Sequence, residues 1–90
     1  MTEQFQTEAL DAYDINGNIL NVGDFVQIPA SNFPSQRFRI LELQDPWALN
    51  QWAVLVQSVT NKNTRYTFEA PMLTKLSSEE SMILMLEYYA

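Results

Sequence analysis

Ninety residues carrying a net charge of −6, with neither cysteine nor histidine, exclude disulfides, thiol nucleophiles, Cys/His zinc sites and every acid, base or triad built on imidazole. With 47% apolar and 18% charged residues, the chain has the composition of one small folded domain rather than of a disordered segment. The acidic balance also sets it against generic binding to the phosphate backbone of nucleic acid.

In chain order, residues 1–11 read as an N-terminal arm or short helix. They have no basic region followed by an apolar stretch, as a signal peptide would, and no run in the chain approaches the ~20 apolar residues of a membrane span. The expected location is the cytoplasm, with no membrane partner. Asn16-Gly17 then predicts a tight hairpin turn of type I′, because both central positions need positive φ and these residues tolerate it. Its arms are Ala12–Ile15 and Asn18–Leu20. A second turn at Val22-Gly23-Asp24 leads into the strand Phe25–Ile28, which Pro29 ends.

The stretch PASNFPSQ, residues 29–36, reads as a surface loop. Arg37–Gln44 is a strand with a fault in its alternation: Phe38 and Ile40 share one face while Leu41 and Leu43 fall on the other, the pattern a β-bulge or a sharp coil around a barrel corner produces. After a turn at DPWALN, Gln51–Thr60 is apolar on both sides near its middle and predicts the central strand. The turn NKN joins it to Thr64–Ala70, where Tyr66 and Phe68 alternate with Arg65, Thr67 and Glu69. MLTKL suits a 3₁₀ turn, and Ser77 with Glu80 three residues later is a capping-box pattern that starts a helix over Ser78–Tyr89. The fold class is mainly β: a five-stranded SH3-like barrel or strongly bent antiparallel sheet over residues 12–76, with a C-terminal helix in residues 77–90.

Asp14, Asn16-Gly17, Leu20 and the turn-and-strand Val22-Gly23-Asp24-Phe25-Val26 resemble the small SH3-like barrels, including the KOW and Tudor-like versions, which place a glycine–aspartate turn at the start of a strand. The resemblance implies a scaffold rather than a task, because such barrels bind nucleic acids, peptides, methylated side chains and other proteins. It points away from catalysis.

Two surfaces stand out. In the run Met82–Tyr89, seven of eight residues are apolar or aromatic. On an α-helix Met82, Met85, Leu86 and Tyr89 form one stripe, Leu84 and Tyr88 a second, and Ile83 lies on a third. One barrel surface cannot cover all three. Met82, Ile83, Leu84, Met85, Tyr88 and Tyr89, with Trp47 on the neighbouring loop, are therefore the expected interface for a protein partner or a second copy of the chain. The alternative site is basic: Arg37 and Arg39 share a strand face, and Lys62 and Arg65 flank the next hairpin turn. With Tyr66 or Trp52 they make a small cationic and aromatic platform for single-stranded nucleic acid or an acidic peptide, the role of a nucleic-acid accessory protein. Its bland counterpart is a solvated face whose arginines pair with Glu42 and Glu69. A third reading takes the acidic ends as an inhibitor that mimics phosphate and blocks a basic protein, as small phage proteins do. Asp11 with Asp14 and Glu79 with Glu80 are the close carboxylate pairs, and neither has a convergent third ligand or a partner acid or base. The expected activity is therefore non-enzymatic, with no catalytic residue, cofactor or metal.

Overall fold

Chain reversals set the frame of the molecule, whose residues 11–29, 36–44 and 52–89 are described by a computed structural model. In the first, the Gly17 N–H donates to the Asp14 carbonyl at 3.1 Å, so Ile15 and Asn16 occupy the centre and Gly17 follows at φ +85°. This corrects the type I′ expectation: glycine is needed one position later, where the chain re-enters the hairpin. The arms reduce to a single bridge between Tyr13 and Ile19. In the second reversal the Asp24 N–H donates to the Asn21 carbonyl at 3.0 Å, with Gly23 at φ +95°, a conformation costly for any residue with a Cβ. The turn into the central hairpin is closed by Thr64 N–H on the Asn61 carbonyl at 2.9 Å.

These turns order five strands, β1 (Phe25–Gln27), β2 (Arg37–Gln44), β3 (Ala53–Ser58), β4 (Arg65–Glu69) and β5 (Thr74–Lys75), into one antiparallel sheet with the order β4-β3-β2-β1-β5. Among the described residues the sheet does not close, so of the two expected forms the open, bent sheet is the one found. The fifth strand is also not a hairpin arm. Thr74 and Lys75, expected within a 3₁₀ turn, pair with Gln27 and Val26, and the 3₁₀ turn falls earlier, at Ala70–Met72. The predicted bulge lies where the alternation fails: Ile40 pairs with Val56 but Glu42 with Leu55, so Leu41 is the extra residue and Leu43 returns to the face of Phe38 and Ile40.

Period-two alternation on this register gives the sheet two different faces. Val26, Phe38, Ile40, Val54 and Val56 share one face and form the larger core with Ala12, Leu20, Ala70 and Leu73. Trp52 and Phe68 pack against it. Phe25 points the other way and meets Val59, Leu76 and Leu84 in a smaller cluster. The helix α1 (Ser78–Leu84) supplies this second cover. Its start is the capping box, with Ser77 Oγ accepting from Glu80 N–H at 3.1 Å. Beyond Leu84 the helix widens into a π turn, Met85–Tyr89. Trp47, residues 1–10 and residues 30–35 lie outside the described residues.

Candidate functional site

The two surfaces expected to be rivals meet at one place. Register puts Phe25 beside Arg39, Arg39 beside Gln57 and Gln57 beside Arg65, a row across four strands on the face that carries the smaller cluster. The C-terminal segment is seated on this row. Tyr89 lies against Phe25 with ring centroids 5.8 Å apart, and its hydroxyl donates to Gln57 Oε1 at 2.9 Å. The Arg39 guanidinium sits 4.7 Å from the Tyr89 ring centroid and Lys62 Nζ 4.0 Å from it, each contact contributing about 0.5–1 kcal/mol where exposed. Lys62 Nζ also donates to the Tyr88 carbonyl. Burial pushes the Tyr89 hydroxyl above its ordinary pKa of 10.0, with the Arg39 charge pulling the other way.

Arg37 completes the arrangement. Its Nε donates to Gln27 Oε1 at 3.3 Å, and its guanidinium pairs with Glu80 of α1 at 3.7 Å. The expected partners Glu42 and Glu69 are not the ones found, because both lie beyond the bulge or at the far end of β4, whereas α1 brings Glu80 over the strand. Arg37, Arg39 and Lys62 thus hold the chain's own C-terminal segment. Arg65 is exposed on β4.

The π turn explains why helical spacing missed this. The wider turn, with hydrogen bonds that span five residues, brings Tyr89 round to the side of Leu84, whereas a continuous α-helix would have kept it in line with Met82. Leu84, expected in the interface, is only 4% exposed and is a core residue. Outward stand Met82 (63% exposed), Ile83, Met85 and Leu86 (67%), with Tyr88 at their margin. A separate apolar group of Tyr13, Ile15, Ile19 and Val22 is exposed around the first hairpin. No alternation marks it, since both its faces carry apolar residues.

The buried charge is elsewhere. Asp14, 5% exposed, accepts from the backbone N–H groups of Asn16 (2.9 Å), Asn18 (2.8 Å) and Lys75 (2.8 Å), and from the Asn18 side-chain amide (3.2 Å). Burial alone would raise its pKa; the donors outweigh it and hold the carboxyl below its ordinary 3.8. The carboxylate ties the first hairpin to β5 and has every oxygen occupied, which makes it a structural knot rather than a base. A cavity of about 520 Å³ beside it is lined by Gly17, Asn18, Ile19, Lys75, Leu76 and Ser77. Its lysine is tied to Asp24 Oδ2 at 3.3 Å and to the Ile19 carbonyl at 2.9 Å. Among the described residues no three metal-ligating side chains gather, and no helix is long and apolar enough to cross a membrane.

The chain matches no family model, no curated protein and no solved structure.

Proposed function

We propose that the protein is a non-enzymatic interaction module that recognises a protein surface, in the simplest case a second copy of itself, through the outward face of its C-terminal segment. The observation that carries this is the exposure of Met82, Ile83, Met85 and Leu86 together on one short segment whose single buried side chain is Leu84. Covering one large apolar side chain contributes about 1.5–3 kcal/mol, so four adjacent ones supply a strong drive for association. Methionine adapts its shape to a partner, and the sheet beneath fixes the segment by an aromatic anchor, two cations and an ion pair. The face is therefore presented on a rigid support.

The SH3-like reading of the scaffold belongs to the same proposal; five short antiparallel strands behind a glycine–aspartate turn support it. The nucleic-acid alternative has less behind it, since Arg37, Arg39 and Lys62 are engaged by the chain itself and the net charge is −6. The test is solution mass by light scattering over a concentration series, for the intact chain and for Met82→Glu with Leu86→Glu. The substitutions fall on exposed positions, so the double variant keeps its circular dichroism spectrum and associates less. Equal association of the two proteins would sink the proposal.

A further inference from the structure

The outer edge of β4 offers an interface that the helix reading does not use. Among the described residues β4 pairs with β3 alone, and Arg65, Tyr66, Thr67 and Glu69 are exposed. Natural sheets protect such an edge with short strands, charged side chains, proline or a bulge; β4 has neither proline nor bulge, and its two charges, Arg65 and Glu69, are of opposite sign.

Hydrogen-bond parity says which groups the edge presents. The Ser58 N–H donates to the Thr64 carbonyl and the Ala70 N–H to the Trp52 carbonyl, both at 3.0 Å. The even-numbered residues 64–70 therefore turn their main-chain groups toward β3, and Arg65, Thr67 and Glu69 turn theirs outward. An antiparallel partner must place its own outward groups opposite these three.

We infer that the partner is β4 of a second copy, paired about a two-fold axis through Thr67. In that register Arg65 faces Glu69 of the other copy at both ends, Thr67 faces Thr67, and Tyr66 faces Phe68. Three hydrogen-bonded pairs give about six main-chain hydrogen bonds, and the surface is self-complementary, as a two-fold interface requires. Centring the axis on Arg65 or Glu69 would oppose like charges, which destabilises a cross-strand pair. Centring it on Phe68 would set Arg65 against Pro71, which has no N–H to donate. The Tyr66–Phe68 pair extends an aromatic cluster already present, since Phe38 lies 5.6 Å from Tyr66 and 5.5 Å from Phe68 by ring centroids. It also covers Tyr66, which is 45% exposed in the single chain.

A chain without cysteine permits a clean test. At the axis the two Thr67 Cα atoms stand ~5.5 Å apart, and the Cβ atoms of such a hydrogen-bonded pair are too far apart for a relaxed disulfide but within the span of a short bis-maleimide. Thr67→Cys is expected to give a covalent dimer with that reagent, whereas Ser78→Cys, an exposed control, is not. Adding Glu69→Arg opposes two arginines at each end and lowers the yield of cross-link; adding Arg65→Glu as well restores it. The double variant Met82→Glu, Leu86→Glu leaves the cross-link unchanged, which separates this interface from the helix face. Failure of Thr67→Cys to cross-link, cross-linking of Ser78→Cys to the same extent, or indifference to the charge reversal would overturn the inference. So would a monomer whose edge binds only an added β-strand peptide of another sequence.

Discussion

Replacing Asp14 by alanine removes one acceptor and strands four donors. Three are backbone N–H groups within 2.9 Å of the carboxylate, and the fourth is the Asn18 amide. Hydrogen bonds to a charged group contribute about 1.5–3 kcal/mol each, and the loss is fullest where water cannot take over. Asn16 and Asn18 are exposed and recover part of their loss to solvent. The Lys75 N–H sits in β5, and loosening it frees the junction between the first hairpin and the sheet. A total of about 3 kcal/mol follows, taken from a domain whose whole stability is about 5–13 kcal/mol at this length. With a urea dependence of about 1–3 kcal/mol per molar, the unfolding midpoint should fall by about 1–3 M at unchanged slope. The pH dependence has a fixed sign. The folded carboxyl is held below its ordinary 3.8, so its contribution is present above that value and is lost as the pH falls through the folded value. The intact chain should therefore lose stability on acidification below about pH 4 more steeply than Asp14→Asn. A midpoint change for Asp14→Ala worth less than about 1 kcal/mol, or parallel acid profiles for the two proteins, would refute the assignment of Asp14 as a structural knot.

Leu84→Ala should cost about 2–5 kcal/mol, because it opens a cavity among Phe25, Val59 and Leu76, whereas Met82→Ala, two residues earlier, should stay within about 0.5 kcal/mol in urea titrations of the dilute protein. Tyr89→Phe keeps the ring between Arg39 and Lys62 and loses only the bond to Gln57, for about 1 kcal/mol; Tyr89→Ala loses both, and hydrogen exchange at the α1 amides should report the larger loosening.

Where local chemistry decides structure, the sequence was readable. The fault in RFRILELQ is a bulge because three hydrophobic side chains, Phe38, Ile40 and Leu43, must reach one core from a strand with one residue too many. Alternation around Tyr66 and Phe68, with NKN between, specifies the β3–β4 hairpin, and Ser77 with Glu80 starts the helix. What escaped depends on partners far along the chain. Nothing near Asp14 reveals that it accepts from Lys75, and nothing near TK reveals that it pairs with Val26 and Gln27. Helical spacing assumed 3.6 residues per turn to the end, so it grouped Tyr89 with Met82 and counted Leu84 as surface. The π turn that reverses both depends on Phe25, Arg39 and Gln57 lying beneath the segment. For the same reason the cationic platform was legible as a cluster of residues but not as an occupied one.

Strand β1 is only three residues long, yet Phe25 faces the smaller cluster and Val26 the larger one. A slip of one position against β2 would exchange them, moving the phenyl ring into a core shaped around valine and leaving Arg39, Tyr89 and Leu84 around a residue too small to meet them. The alignment is thus penalised from both sides of the sheet at once. Two stacked clusters let a strand too short to specify its own pairing through hydrogen bonds alone discriminate against misaligned states, and they join the helix and the main core into one cooperative choice of fold.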